Sequence, residues 1–242
     1  MTVLPAMPAA QTASWHGLLD LYERLDSGWT LIGGQLVHLH CAERGRFPAR
    51  ATDDIDAVVD VRSDPQILQR FTAALTDLGF TSAGVSGEGR QHRWRRGTAS
   101  FDVLLPDGIG ERAGLRHGIT GSPTLPTAGG TQALLRTQTV AVTVDGRDGF
   151  VLRPSLVGAL VAKAAAHGNM GDRDPRRHRH DFLVLAGLIT ASDFRSEQLS
   201  KTDRRRLRAI VEAVRADRML MASTPDGATA LDRLATAAAL EG

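Results

Sequence analysis

The hydrophobic positions of this chain follow two different periods. Apolar residues recur every three or four positions over residues 15–25 and 63–78, which predicts helices there, the second with Ser63 as its N-cap. A further helix is predicted at residues 35–44. Short apolar runs and two-residue alternation predict strands at residues 29–32, 55–61, 92–95, 100–105, 140–144 and 150–153. The last two strands flank Asp145-Gly146, a dipeptide typical of hairpin turns.

The second part of the chain has a helical pattern. After Pro154, helices are predicted at residues 155–167, 177–189, 202–220 and 226–240. The Gly- and Pro-rich stretch that ends at Gly130 is predicted to be a loop. The first residues are rich in Pro, Ala and Thr and are expected to be a disordered tail. We therefore divide the chain into a tail (residues 1–13), an α/β domain (residues 14–153) and a helical domain (residues 154–242).

Composition restricts the class of protein. The chain has 242 residues, of which 42% are hydrophobic, enough to bury a core. It contains no apolar run of about 18 residues and no basic segment followed by an apolar run at its start, so neither membrane insertion nor secretion is indicated. The cytoplasm is the expected location. The single cysteine, Cys41, excludes an internal disulfide and has no Cys or His neighbours at zinc-ligand spacing.

The positive charge of the chain is unevenly distributed. The formal net charge is only +2, but arginines concentrate at residues 173–179 and 204–208. Such clusters suit an anionic partner such as nucleic acid, and they are equally typical of a solvated helix face.

Two carboxylates occupy alternate positions at the start of a predicted strand. Asp54 and Asp56 share one face of that strand, while Ile55 points to the other face. Adjacent anions repel, and a divalent cation relieves that repulsion. Carboxylates, water and phosphate oxygens are the ligands that Mg²⁺ prefers. The alternative interpretation is a solvated acidic strand end or a helix cap.

A third acid, Asp102, interrupts the apolar run Phe101-Asp102-Val103-Leu104-Leu105. Burying it without a partner would be unfavourable. If its strand lies beside that of Asp54 and Asp56, three carboxylates can hold two metal ions about 3.5–4 Å apart, the arrangement used for in-line phosphoryl chemistry. Mg²⁺ is the expected ion and Mn²⁺ the alternative. Two other interpretations of Asp102 are a general base and the ion-pair partner of an arginine such as Arg93 or Arg95.

A glycine pair, Gly33-Gly34, separates a predicted strand from a predicted helix. Without Cβ atoms, backbone N–H groups can approach a phosphate, and the following helix presents its positive end. Gln35 is placed to donate a hydrogen bond to the same phosphates. A tight turn between strand and helix explains the glycine pair equally well.

A lysine interrupts one of the C-terminal helices. Lys163 lies on the same helical stripe as Leu156 and Leu160, so its cation faces inward. We interpret it as an ammonium held against a triphosphate, with Asp181 as the partner that fixes its position. The alternatives are a lysine at the edge of the core and, for Asp181, a carboxylate favoured by a helix N-terminus.

These residues together resemble the signature of the DNA polymerase β superfamily of nucleotidyltransferases. The matching segments are Ile32-Gly33-Gly34, Arg50-x-Thr52-x-Asp54-Ile55-Asp56 and Phe101-Asp102-Val103-Leu104. Within the superfamily, the second segment is similar to the AbiEii and MenT group of nucleotidyltransferase toxins. That group also has a lysine on a helix and an aspartate after a later basic segment, which Lys163 and Asp181 match. The resemblance spans about residues 30–190 and departs from the group at His178, where an Asp is common.

The resemblance implies a fold and a reaction. The fold is α/β, with a short mixed sheet flanked by helices and a helical C-terminal half. The reaction is transfer of a nucleoside monophosphate from an NTP to a tRNA 3′ end, by a toxin with a cognate antitoxin protein. The implied catalytic residues are Asp54, Asp56, Asp102, Lys163 and Asp181, of which the first three bind metal. The implied nucleotide-binding residues are Gly33, Gly34, Gln35, Arg50, Thr52 and Lys163.

Two other functions are weighed beside this one. An antibiotic nucleotidyltransferase that modifies an aminoglycoside or a lincosamide would have a related fold, and for an aminoglycoside it predicts an acidic pocket. A non-catalytic protein that binds a nucleotide or a partner has no need of three acids in this pattern.

Overall fold

The computed structural model describes residues 1–47, 52–168, 175–195 and 197–240. The strands in these ranges are β1 (Thr2–Val3), β2 (Trp29–Ile32), β3 (Asp54–Val59), β4 (Thr81–Ser82), β5 (Arg93–Arg96), β6 (Ala99–Pro106), β7 (Leu125–Thr127), β8 (Thr137–Val144) and β9 (Arg147–Pro154). The helices are α1 (Ala9–Arg24), α2 (Gly33–Glu43), α3 (Ile67–Asp77), α4 (Glu111–Gly114), α5 (Gly130–Leu135), α6 (Leu156–His167), α7 (Pro175–Gly187), α8 (Lys201–Ala216), α9 (Arg218–Ala222) and α10 (Gly227–Ala237). A short 3-10 helix covers Ala191–Phe194.

A mixed sheet in the order β2-β3-β6-β5-β4 forms the centre of the α/β part. β3 runs parallel to β6, whereas β2 and β5 run antiparallel to their neighbours. The register of β3 and β6 places Asp56 directly opposite Asp102. Ile55 on β3 and Phe101 and Val103 on β6 are fully buried, so the apolar positions of both strands fix this register by facing the core. The predicted mixed sheet is confirmed.

A second sheet consists of β1, β8 and β9. β8 and β9 form the hairpin expected at Asp145-Gly146, and Asp145 has the positive φ of 48° that such a turn requires. β1 pairs with β8 in parallel, with Thr2 opposite Val142. The prediction of a disordered tail is therefore wrong for these residues. The segment is ordered because β1 hydrogen-bonds to β8 and because Leu4 and Gln11 are buried.

The helical part packs through α6. This helix contacts α5, α7 and α8, and α10 packs against α7 and α8. Ser155 caps α6, since its side chain accepts a hydrogen bond from the Gly158 N–H. In the part of the chain that the structure describes, no helix is both long and apolar enough to cross a membrane.

The helices expected at residues 15–25, 63–78 and 202–220 have different bounds in the structure. α1 begins at Ala9. α3 begins at Ile67 rather than near Ser63, because the Ser63 hydroxyl donates to Asp60 Oδ2 (2.6 Å) instead of capping a helix. The helix expected at residues 202–220 is divided into α8 and α9. Asp217 leaves the helical conformation (φ −82°, ψ 87°), and its side chain caps α9 by accepting from the Leu220 N–H. Short helices α4 and α5 lie in or next to the expected loop.

Candidate active site

A cavity of about 290 Å³ opens where the sheet meets the helical part. Its walls come from the β2–α2 turn, from β3, β5 and β6, from residues 127–130, and from α6 and α7. Four acids reach it: Asp54, Asp56, Asp102 and Asp181. Three cations line it as well: Arg93, Lys163 and Arg177. The carboxylates and the lysine that the sequence singled out are therefore brought to one place from four elements.

The glycine corner is shaped by the carboxylate beside it. Gly33 has φ of +72°, and a Cβ built on it would lie 1.8 Å from Asp56 Oδ2. A Cβ on Gly34 would lie 2.7 Å from Thr52 Cγ2. Any side chain at position 33 would therefore collide with Asp56, in a backbone conformation that L residues rarely adopt. The glycines allow the start of α2 to approach the start of β3 closely.

Arg93 binds two of the three strand carboxylates. Its Nε and Nη2 donate to Asp102 Oδ1 and Oδ2, both at 2.7 Å, and Nη2 also donates to Asp54 Oδ2 at 3.2 Å. The first pair is the fork geometry of strong Arg–carboxylate contacts. This hydrogen bonding raises the pKa of Arg93 above its usual range. Sequence reasoning named Arg93 only as a structural alternative, although its place opposite Asp102 on β5 follows from the hairpin register.

Asp56 is the strand carboxylate to which Arg93 makes no hydrogen bond. Burial, together with the charges of Asp102 and Asp54, raises the pKa of Asp56 to about 7, although Lys163 and Arg177 act in the opposite direction. Because this pKa lies near neutral pH, the Asp56 carboxyl carries only part of a negative charge there.

The fit of a divalent cation depends on Arg93. Among the described residues, no three His, Cys, Asp or Glu side chains lie together so as to hold a metal ion as they stand. The guanidinium of Arg93 occupies the space between Asp102 and Asp54 and acts as a cation there. The donor set is nevertheless the all-oxygen set of a hard cation. Asp54, Asp56 and Asp102 thus offer the ligand chemistry of Mg²⁺, and Arg93 is bound to two of the three.

Lys163 and Asp181 form a buried ion pair that lines the same cavity. Lys163 Nζ lies 2.6 Å from Asp181 Oδ2, and both side chains are almost fully buried between α6 and α7. A buried pair of this kind is not in itself a strong source of stability, because both charges lose their hydration. It does hold the ammonium in one position at the cavity wall.

Gln35 has a role different from the one the sequence predicted. It is fully buried and does not line the cavity, so it cannot donate to a bound phosphate. Its Nε2 donates to the Thr52 carbonyl (2.6 Å), while its Oε1 accepts from Trp15 Nε1 (2.8 Å) and Gln11 Nε2 (2.9 Å). Gln35 therefore ties α1 and α2 to the backbone just before Asp54. Thr52 itself lines the cavity.

Two parts of the cavity lining were not predicted from the sequence: Arg177 and residues 127–130. Two sequence features could have indicated them. Arg177 lies one helical turn before Asp181, and Gly129-Gly130 is a second glycine pair. A Cβ on Gly129 would lie 2.5 Å from the Ala162 carbonyl oxygen, so this glycine lets the loop contact α6. Arg50, expected to bind nucleotide, lies outside the described residues.

Comparison with known proteins by sequence found no matching family model and no matching curated protein. By structure, the chain is similar to a crystal structure of an antigenic nucleotidyltransferase-like protein from Paracoccidioides brasiliensis, with a TM-score of 0.51, 15% identity and coverage of 94% of each chain. It is also similar to a solution structure of the antibiotic-resistance factor ANT(2'')-Ia, with a TM-score of 0.48, 13% identity and coverage of 87% of this chain and 96% of that chain. The chain thus has the fold of nucleotidyltransferase-like proteins, as predicted.

The raised pKa of Asp56 predicts how stability varies with pH. Between about pH 4 and pH 7, the folded protein keeps a proton that the unfolded chain releases, so the free energy of unfolding without metal falls as pH rises. In the wild type, we expect the free energy of unfolding to fall by on the order of 2–4 kcal/mol over this range. Asp56→Asn should not show this fall and should be more stable than the wild type at pH 8. Urea denaturation at pH 5 and pH 8 measures this. Asp53→Asn, on the exposed neighbour, is the control, and equal pH slopes for both variants would contradict the prediction.

The hydrogen bonds of Gln35 predict a loss of stability on truncation. Gln35→Ala leaves the buried Trp15 N–H without its acceptor and removes one of the two partners of Gln11 Nε2, which we expect to cost about 2–4 kcal/mol in the free energy of unfolding. The measurement is urea denaturation without nucleotide, with Gln69→Ala on the exposed face of α3 as control. A stable Gln35→Ala protein that only binds NTP more weakly would restore the phosphate-binding role.

Proposed function

We propose that the protein is a metal-dependent nucleotidyltransferase that moves a nucleoside monophosphate from an NTP to an acceptor hydroxyl, releasing pyrophosphate. One observation carries the proposal: the carboxylates of Asp54, Asp56 and Asp102 and the buried Lys163–Asp181 pair line one cavity. A metal-bound triphosphate requires carboxylates that hold the cation and a cationic group that contacts the phosphates, and this cavity has both. The fold of nucleotidyltransferase-like proteins agrees with this reaction.

Each residue has a role in the proposed reaction. Asp54, Asp56 and Asp102 would hold the divalent cations. Bound Mg²⁺, or Mn²⁺ in its place, would supply charge neutralisation and activation of the acceptor hydroxyl. Lys163 would contact the β and γ phosphates, so that pyrophosphate leaves with part of its charge neutralised. Asp181 positions the Lys163 ammonium by the 2.6 Å contact.

The glycine corner would hold the other side of the triphosphate. Gly33 and Gly34 line the cavity at the N-terminus of α2, where backbone N–H groups have no helical acceptor. Thr52 lies beside them and packs on Gly34. Its carbonyl is already bound by Gln35, so Thr52 would contribute by shaping the corner next to Asp54.

We propose that the acceptor is a tRNA 3′ end and that the protein is a cytoplasmic toxin with a cognate antitoxin, as the resemblance implies. The charges of the cavity support an anionic rather than a polycationic acceptor. Asp102 and Asp54 bind Arg93, and Asp181 binds Lys163, so these carboxylates are already engaged. An aminoglycoside would need unpaired acids. Arg177 adds a further cation at the rim that α7 forms.

The arginines of α8 contribute less to RNA binding than their number suggests. Arg204 donates to the Ala238 carbonyl (2.7 Å) and Arg208 to the Leu240 carbonyl (2.6 Å), so both hold the C-terminal segment. Arg205 is exposed and is the residue of this cluster best placed to contact a phosphate backbone.

A labelling experiment tests the reaction. The protein is incubated with Mg²⁺, each α-labelled NTP in turn, and total tRNA or a panel of aminoglycosides and lincosamides. We expect labelled tRNA, and a loss on the order of 100-fold or more for Asp54→Ala, because one carboxylate of the metal site is gone. Asp53→Ala should keep full activity. Labelling of an antibiotic instead of RNA would show that the acceptor is the antibiotic and not tRNA. No transfer to any acceptor would contradict the proposed reaction.

The ion pair of Lys163 allows a test that separates binding from folding. Lys163→Met leaves the buried Asp181 without its ammonium, and we expect a lower free energy of unfolding, by about 3–5 kcal/mol, together with a loss of NTP affinity. The double variant Lys163→Met/Asp181→Leu should recover most of the stability but not the NTP affinity, as measured by urea denaturation and calorimetry. Recovery of both would assign Lys163 a structural role only.

A further inference from the structure

We propose that Arg93 is the counter-ion of the metal-free carboxylate cluster and competes with the divalent cation, so that the metal binds only when the guanidinium withdraws from Asp102 and Asp54. The inference rests on the proposed function, because it concerns the ligands of the same metal site. It assigns to Arg93 control over metal affinity, and its test does not depend on the transfer reaction.

The competition follows from which oxygens Arg93 occupies. Both oxygens of Asp102 accept hydrogen bonds from it, and so does one oxygen of Asp54. A cation that used Asp102 as a ligand would have to take at least one of these oxygens. The guanidinium and a divalent ion carry like charges and would lie within a few ångströms of each other, where repulsion between them is strong. The guanidinium and the divalent ion therefore compete for the same carboxylates.

Arg93 is also able to leave. Its side chain is 35% exposed, and that of Asp54 is 40% exposed, whereas that of Asp102 is only 12% exposed. Charge-assisted hydrogen bonds of a partly exposed arginine can be exchanged for water or phosphate without burying an unpaired charge. Asp102 is the more buried partner, so it requires a cation at all times, supplied by Arg93 or by a metal ion.

The charge balance favours the exchange. Arg93 supplies one positive charge to three carboxylates and makes no hydrogen bond to Asp56. A divalent cation supplies two positive charges. It can also reach Asp56, which lies opposite Asp102 in the register of β3 and β6. The displaced guanidinium stays at the wall of a cavity that Lys163 and Arg177 also line.

Metal titration of two arginine variants tests the proposal. Calorimetry with Mn²⁺ and with Mg²⁺, without nucleotide, compares the wild-type protein with Arg93→Gln. We expect Arg93→Gln to bind the cation about tenfold more tightly, because the competing hydrogen bonds are gone. Arg95→Gln is the matched control, since Arg95 lies on the same strand, is exposed and has the same charge. It should bind as the wild type does. Arg93→Lys, which keeps the charge without the fork, should lie between.

A second readout follows the guanidinium directly. In the wild-type protein, the Nε–H of Arg93, which donates to Asp102, should give a protected NMR resonance that is absent in Arg93→Gln. Excess Mg²⁺ should abolish this protection. Equal or weaker metal binding by Arg93→Gln, or protection that survives saturating Mg²⁺, would overturn the proposal.

The failures of the two proposals are distinguishable. If the wild type and Arg93→Gln both fail to bind a divalent cation, the metal site of the proposed function is wrong, and this inference with it. If both bind equally, only the role of Arg93 is wrong. If Arg93→Gln binds more tightly but no acceptor is labelled, competition by Arg93 is supported and the transfer reaction is refuted.

Discussion

Repulsion among three carboxylates is the constraint on which the rest of the site depends. Asp54 and Asp56 share one face of β3, and the parallel register sets Asp56 opposite Asp102 on β6. Because this register is fixed by the apolar residues that alternate with the acids, the protein cannot separate the charges without exposing its core. Positive charge must be supplied instead, and Arg93 supplies part of it.

The other features of the cavity surround this cluster. The glycine corner exists because Asp56 fills the space that a side chain at position 33 would need. Gln35 fixes the backbone that precedes Asp54, and α6 and α7 hold the Lys163 ammonium in the same cavity. A cavity that combines clustered carboxylates with fixed cations suits the proposed metal-bound triphosphate better than it suits a small neutral ligand.

The sequence was most informative where local chemistry decides the structure. The spacing of Asp54 and Asp56 and the hairpin at Asp145-Gly146 depend on neighbouring residues, and the structure contains the strand face and the turn that they predict. The misplaced elements depend on distant partners. β1 is ordered by β8, and Gln35 is turned away from the cavity by Trp15 and Gln11. Neither contact leaves a periodic signal in the sequence.

The central claim is that the three carboxylates share a cation and that Arg93 occupies its place until the cation arrives. The most direct measurement is a crystal structure of the protein with Mn²⁺ and a non-hydrolysable NTP analogue, in which the anomalous signal locates the ion. We expect an Mn²⁺ peak about 2 Å from oxygens of Asp54, Asp56 and Asp102, with the Arg93 guanidinium moved away from Asp102. Nucleotide bound with no such peak, and with Arg93 still bridging Asp102 and Asp54, would contradict it.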